Sequence, residues 1–462
     1  MSFVWRLNDK EEILRASFAA TVTHLHSPAG PEYKSLEDIR RNQNEFVREY
    51  HKGLFKFHLE MIRHILLVEE SLKTLPPAQT PEQRTAKRGL EHLRQIFRTF
   101  NDCIAWKIFM PEPSFTINRL CRRRPRGFLQ DQNPDSILKF ITELSRTGET
   151  LAIWNDATRC IDLHDVTAIS LESREIIFYE VKEGPVNEEI IRVARAADEK
   201  EILKGLDGLF SQRGASGIQQ FERFLKQQLE GAKLHTLITN DDIEDPFLNT
   251  RRFAITPHKP LASYDTELGE LLKEVREREF ARITVDGCLH VLAINQVRLR
   301  HNIPFHSLIE SELKRRLTAP EPNEPDCGTV MVPFQQTLYS PISMPVMIRP
   351  LEAIDVADLC IGNVVLFFMF DMNAWGKLLQ ECRLTWSSKK EGRRELSKPF
   401  LERQMVVDSR VPIITSPSGG WVRLGDMILP FMVCEGIRPL SLAENYDYEL
   451  THSNAAEEQE TT

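Results

Sequence analysis

Residues 160–184, CIDLHDVTAISLESREIIFYEVKEG, decide how this chain is read. They divide into two strands and a polar turn. The first strand carries Asp165 and ends near Ile169, the turn covers residues 170–175, and the second strand covers residues 176–182. Ile, Phe, Tyr and Val crowd the second strand and suit a pleated, buried surface. Alternation sends Ile176, Phe178, Glu180 and Lys182 to one face and Tyr179 and Val181 to the other. Both faces are therefore apolar up to the charged end, as expected of a central strand. Two carboxylates and an ammonium at the ends of neighbouring strands can hold a divalent cation. Mg2+ needs one or two carboxylates and keeps waters or phosphate oxygens in its other positions. The same alternation sets Asp162 and His164 on the face opposite Asp165, leaving Glu183 as the neighbour able to reach the site.

The Glu-x-Lys triplet alone carries little weight, since roughly two are expected by chance in a chain of this length. The others are Glu32-Tyr33-Lys34, in a polar approach to a helix, and Glu312-Leu313-Lys314, on a helical pattern. Glu180-Val181-Lys182 differs in its setting: it lies on a strand that follows an Asp-bearing strand. Around it, Asn133-Pro134 opens a helix to about Arg146, with Pro suited to the first turn and Gly148 to the stop. Residues 150–154 (TLAIW) read as a strand. Residues 217–230 read as a helix with Ile218, Phe221, Leu225 and Leu229 on one face, and residues 233–239 as a last strand.

This order of helix, three strands, helix and strand, with Asp and then Glu-x-Lys, resembles the PD-(D/E)XK, or restriction-endonuclease-like, nuclease superfamily. The resemblance spans about residues 134–239. It departs from the pattern where His164 replaces the Pro before the Asp, and in an insertion with a helix near residues 187–206. It implies an αβββαβ core on a mixed sheet and hydrolysis of phosphodiester bonds, in DNA more than RNA, with Mg2+ or Mn2+. It further implies that Asp165, Glu180 and the Val181 carbonyl ligate the metal, while Lys182 orients water or stabilises the transition state. Gln220, Gln219 or Arg223, from the following helix, and Glu143, from the preceding one, match polar positions that some members add. Foreign-DNA defence or nucleic-acid processing is the role such an enzyme would serve. The alternative is a catalytically silent scaffold that binds protein or nucleic acid.

Composition sets the outer limits. The 462 residues suffice for two or three cores, giving an α+β chain with a helical region over 1–115, a nuclease-like domain over 116–318, a β-rich region over 319–452 and an acidic tail over 453–462. The net charge of −8 confines nucleic-acid contact to local patches. The densest is RLCRRRPR, where Arg119, Arg122, Arg123, Arg124 and Arg126 can grip phosphates in bidentate fashion or serve as a solvated loop. Eight scattered Cys without a CxxC pair point to a reducing cytoplasm rather than to structural zinc or disulfides. No signal peptide or membrane-length apolar run is evident.

Long amphipathic helices are expected over 35–50, 53–75 and 81–109, forming a bundle that offers a surface to a protein partner; an oligomer is compatible with this. His24 and His26 lack a third ligand nearby. Downstream, a helix over 267–280, a hairpin over 281–295 turning at Asp286-Gly287, and strands over 329–332, 346–349, 363–370, 405–407 and 421–432 are expected, with a proline-rich boundary at 319–326. The acidic run 240–246 lacks EF-hand spacing, and no Walker, GxSxG, HExxH or dinucleotide motif is present.

Overall fold

The computed structural model describes residues 11–29, 36–77, 80–109, 127–131, 133–161, 164–173, 175–181, 260–299, 329–334, 344–389, 411–417, 421–423 and 432–446, with isolated positions from 205 to 229 and at 419. The chain is of the α+β class, mixing helices with antiparallel sheets. It divides into two compact units, one built from His24–Ala254 and the other from Met1–Thr23 with Ile255–Thr462.

In the first unit, α1 (Glu11–His26) contributes its last turn, α2 (Leu36–Arg41) follows, and α3 (Gln43–Thr74) packs along α4 (Pro81–Ile108). The apolar spacing of α3 buries Leu54, Phe57, Met61, Ile65 and Val68 on one stripe, and Phe57 meets Phe100 of α4 edge-on at 5.9 Å. The break expected between residues 50 and 53 does not occur: α3 runs on through Gly53, where the Pro28 backbone occupies the space a side chain would need. Pro76-Pro77 does end the run. Thr80 then starts α4 with a capping box, its hydroxyl accepting the Gln83 N–H while the Gln83 side chain accepts the Thr80 N–H.

Helix α5 (Pro134–Ser145) precedes the three-stranded antiparallel sheet of β1 (Thr150–Trp154), β2 (Val166–Ser170) and β3 (Ile176–Tyr179), in the order β1-β2-β3. Strand β1 is buried on both faces from Leu151 to Trp154. Among the described strands it forms an edge, and its outward N–H groups are satisfied by side chains: Ala152 donates to Ser145 Oγ at 3.0 Å and Trp154 to His58 Nε2 at 2.9 Å. Phe140 of α5 packs against Tyr179. The mixed character expected of this sheet is not seen in its described strands, which are antiparallel throughout. The strand expected at 233–239 lies outside the described residues, as does most of the helix at 217–230, of which Gln219, Phe221, Glu222, Leu225, Lys226 and Leu229 are helical.

The second unit holds α6 (Asp265–Glu277) and a four-stranded antiparallel sheet in the order β4-β5-β7-β6, from β4 (Phe280–Val285), β5 (Leu289–Asn295), β6 (Thr329–Pro333) and β7 (Val364–Asp371). The β4–β5 hairpin turns at Asp286 and Gly287, both at positive φ, as a tight two-residue turn requires. Strand β5 is buried along its whole length, consistent with its central place. This sheet thus draws strands from both sides of the expected boundary at 319–326, itself outside the described residues. The later region carries more helix than expected. Helix α7 (Ala353–Ile361) ends at Gly362 in the left-handed conformation, α8 (Met372–Glu381) is capped by Asp371, and residues 439–446 are helical. The segment expected as a strand at 346–349 is a 3-10 turn over Val346–Ile348. A smaller antiparallel sheet joins β8 (Thr385–Lys389), β9 (Val411–Thr415) and β10 (Trp421–Arg423). The strand expected at 405–407 lies outside the described residues. Among the described residues no helix is long and apolar enough to cross a membrane.

Candidate active site

The loop leaving β1 is tied down before the chain reaches Asp165. Asp102 of α4 is buried and accepts the Arg159 N–H at 2.5 Å, the Arg159 Nε–H at 2.6 Å and the Cys160 N–H at 3.2 Å. These charge-assisted bonds clamp the loop to the helix pair. Asn155 extends the ladder beyond β1, its N–H donating to the Asp165 carbonyl at 2.8 Å and its side-chain amide to the His164 carbonyl at 3.3 Å.

At His164 the backbone turns left-handed, with φ of 54°. Asn, Asp and His adopt this conformation more readily than other non-glycine residues, though at some cost. The Asp165 N–H then donates to the Tyr179 carbonyl at 3.1 Å, one residue out of step with the Val166–Tyr179 pairing. A bulge-like offset of this kind re-aims side chains at a strand end. Asp165 Oδ2 consequently accepts the Val181 N–H at 2.7 Å, so the carboxylate at the head of β2 lies against the backbone that carries Glu180 and Val181. Glu180 Oε2 lies 3.4 Å from His164 Nδ1, and the His164 ring leans on Phe178 at 5.7 Å.

Strict alternation therefore fails at this end of the sheet. β3 stops at Tyr179, and Glu180 and Val181 follow it as irregular chain rather than as the strand expected to reach Lys182. His164, expected on a face away from the site, stands beside Glu180 because its positive φ breaks the extended geometry on which alternation depends. No pattern in the sequence reveals that contact. Among the described residues, no three His, Cys, Asp or Glu side chains gather as a metal-holding group.

Of the remaining site residues, Lys182 and Gln220 lie outside the described residues, as do Arg119, Arg122, Arg123, Arg124 and Arg126. The chain just after the arginine cluster is fixed. Buried Glu69 of α3 accepts the Leu129 N–H at 2.7 Å and sits 3.2 Å from Arg98, which donates to the Gly127 carbonyl at 2.8 Å. Glu143 is exposed on α5, 3.5 Å from Arg146, in the manner of a surface residue.

No protein-family model matches the chain, and no curated protein or solved structure does so either.

Proposed function

We propose that the chain is a metal-dependent nuclease with an αβββαβ core that hydrolyses phosphodiester bonds, in DNA more than RNA, in foreign-DNA defence or nucleic-acid processing. One observation carries this reading: the 2.7 Å bond from the Val181 N–H to Asp165 Oδ2, which brings the Asp of the second strand against the Glu-x-Lys triplet. The helix α5 and strands β1–β3 that lead to it follow the order this core requires.

The donor set suits a hard cation. A carboxylate offers about four acceptor sites, so the bond Asp165 accepts from Val181 leaves it able to ligate. Asp165, Glu180 and the Val181 carbonyl would hold Mg2+ or Mn2+, a sparse protein set of the kind Mg2+ completes with water and substrate oxygens. A cation held there would supply a water of lowered pKa and offset charge developing on the phosphate. In this reading Lys182 would add a positive point charge for the reacting phosphate, and Gln220 a further polar contact. Arg119, Arg122, Arg123, Arg124 and Arg126 would track the nucleic-acid backbone, which an otherwise acidic chain must grip locally.

The test is plasmid nicking in Mg2+ or Mn2+ by wild type, Lys182→Ala and Asp165→Asn. Cleavage by wild type alone is expected. Equal cleavage by Lys182→Ala overturns the proposal. So does inactive wild type on supercoiled, linear and single-stranded DNA and on RNA, which would turn the reading to a silent binding scaffold.

A further inference from the structure

We infer that His164 is a positioning residue for Glu180, fixing its carboxylate for a divalent cation; this rests on the nuclease reading of the site. Three features of the chain converge on that residue. First, its backbone sits at φ 54°, a conformation that a non-glycine residue keeps when the surroundings enforce it. Second, those surroundings are present: the Asn155 amide holds the His164 carbonyl at 3.3 Å, and the Phe178 ring supports the imidazole at 5.7 Å. Third, Nδ1 faces Glu180 Oε2 at 3.4 Å, with the two side chains only 9% and 8% exposed.

At that exposure the contact is sheltered from bulk water and counts for more than a surface pair. It is attractive when Nδ1 carries its proton. The distance is long for a good hydrogen bond, so the contact acts chiefly through electrostatics. A donor held behind a ligating carboxylate fixes which oxygen it presents, the role outer-shell groups play at metal sites. Sequence alternation would have placed this ring elsewhere; the left-handed turn brings it to Glu180.

The test measures Mn2+ binding by calorimetry and by loss of the free-Mn2+ paramagnetic signal, without substrate. Wild type, Glu180→Gln, His164→Gly and His164→Asn are compared, each checked for folding by its thermal transition. His164→Gly keeps the backbone conformation but deletes the donor, and is expected to bind about 10–100-fold more weakly. His164→Asn tolerates the same backbone and keeps an N–H donor, and is expected to recover most of that loss. His164→Ala gives the same reading should the Gly variant not fold. Wild-type affinity in the Gly or Ala variant overturns the positioning role while leaving the nuclease reading intact. Equal weakening in the Gly and Asn variants also overturns it, since loss of packing on Phe178 would then suffice. No Mn2+ binding by wild type, or undiminished binding by Glu180→Gln, overturns the site itself and this inference with it.

Discussion

His58 Nε2 accepts the Trp154 N–H at 2.9 Å, so a side chain from helix α3 completes the hydrogen bonding of strand β1. The acceptor role of Nε2 leaves the proton on Nδ1, which donates to Asn101 Oδ1 at 2.9 Å; the Asn101 amide in turn donates to the Ala157 carbonyl at 3.2 Å. This relay joins α3, α4 and the end of β1, and every member is used by its neighbours.

The relay makes stability depend on pH. Burial pushes His58 down from 6.5 to about 4, so the folded chain resists the proton that the unfolded chain accepts below pH 6.5. Stability is fully present above that value, declines as pH falls toward 4, and levels off below it, for a total of about 3 kcal/mol. Urea unfolding at pH 7 and pH 4.5 should show most of this loss in wild type and a shallower decline in His58→Gln. Parallel declines would sink the assignment.

Gly53→Ala should destabilise the chain by about 1–3 kcal/mol through overpacking. Alanine ordinarily favours a helix interior over glycine by about 1 kcal/mol, but here its Cβ would strike the Pro28 carbonyl, a backbone atom that cannot rotate aside. An unchanged or raised melting temperature would show that the Pro28 turn yields.

Glu69→Ala should cost about 3–5 kcal/mol, because it leaves Arg98 buried without its carboxylate and the Leu129 N–H without its acceptor. Glu69→Gln, which can still accept from Leu129, should lose less. Chemical denaturation of both variants ranks them, and a reversed order would refute the pairing.

Asp165→Asn should leave stability within about 1 kcal/mol, since the amide oxygen can still accept the Val181 N–H. Nicking activity should fall to background in the same variant. Retained activity at unchanged stability would show that the Asp165 charge has no part in the chemistry.

Thr167→Val should be neutral or stabilising by about 1 kcal/mol. The Thr167 hydroxyl on β2 is buried and finds no hydrogen-bond partner among the described residues, so its desolvation is uncompensated. A clear loss of stability would mean that the hydroxyl is satisfied after all.

Much of the local structure was legible in the sequence. Apolar spacing in residues 53–75 marked the buried stripe of α3, and Pro76-Pro77 marked its end, because helix periodicity and proline sterics act within a few residues. Asn133-Pro134, TLAIW and the Asp286-Gly287 turn likewise fixed α5, β1 and the β4–β5 hairpin from short-range preferences. Contacts made by distant residues were not legible. Nothing near Gly53 announces that Pro28 will occupy its side-chain space, and nothing near His58 announces an edge strand 96 residues later. The sequence by itself determined which carboxylates, Asp165 and Glu180, flank the ends of β2 and β3. The left-handed turn at His164 and the offset at Asp165 were decided by tertiary structure, because they go with backbone and side-chain hydrogen bonds to Asn155, Tyr179 and Val181 that exist once the strands have met.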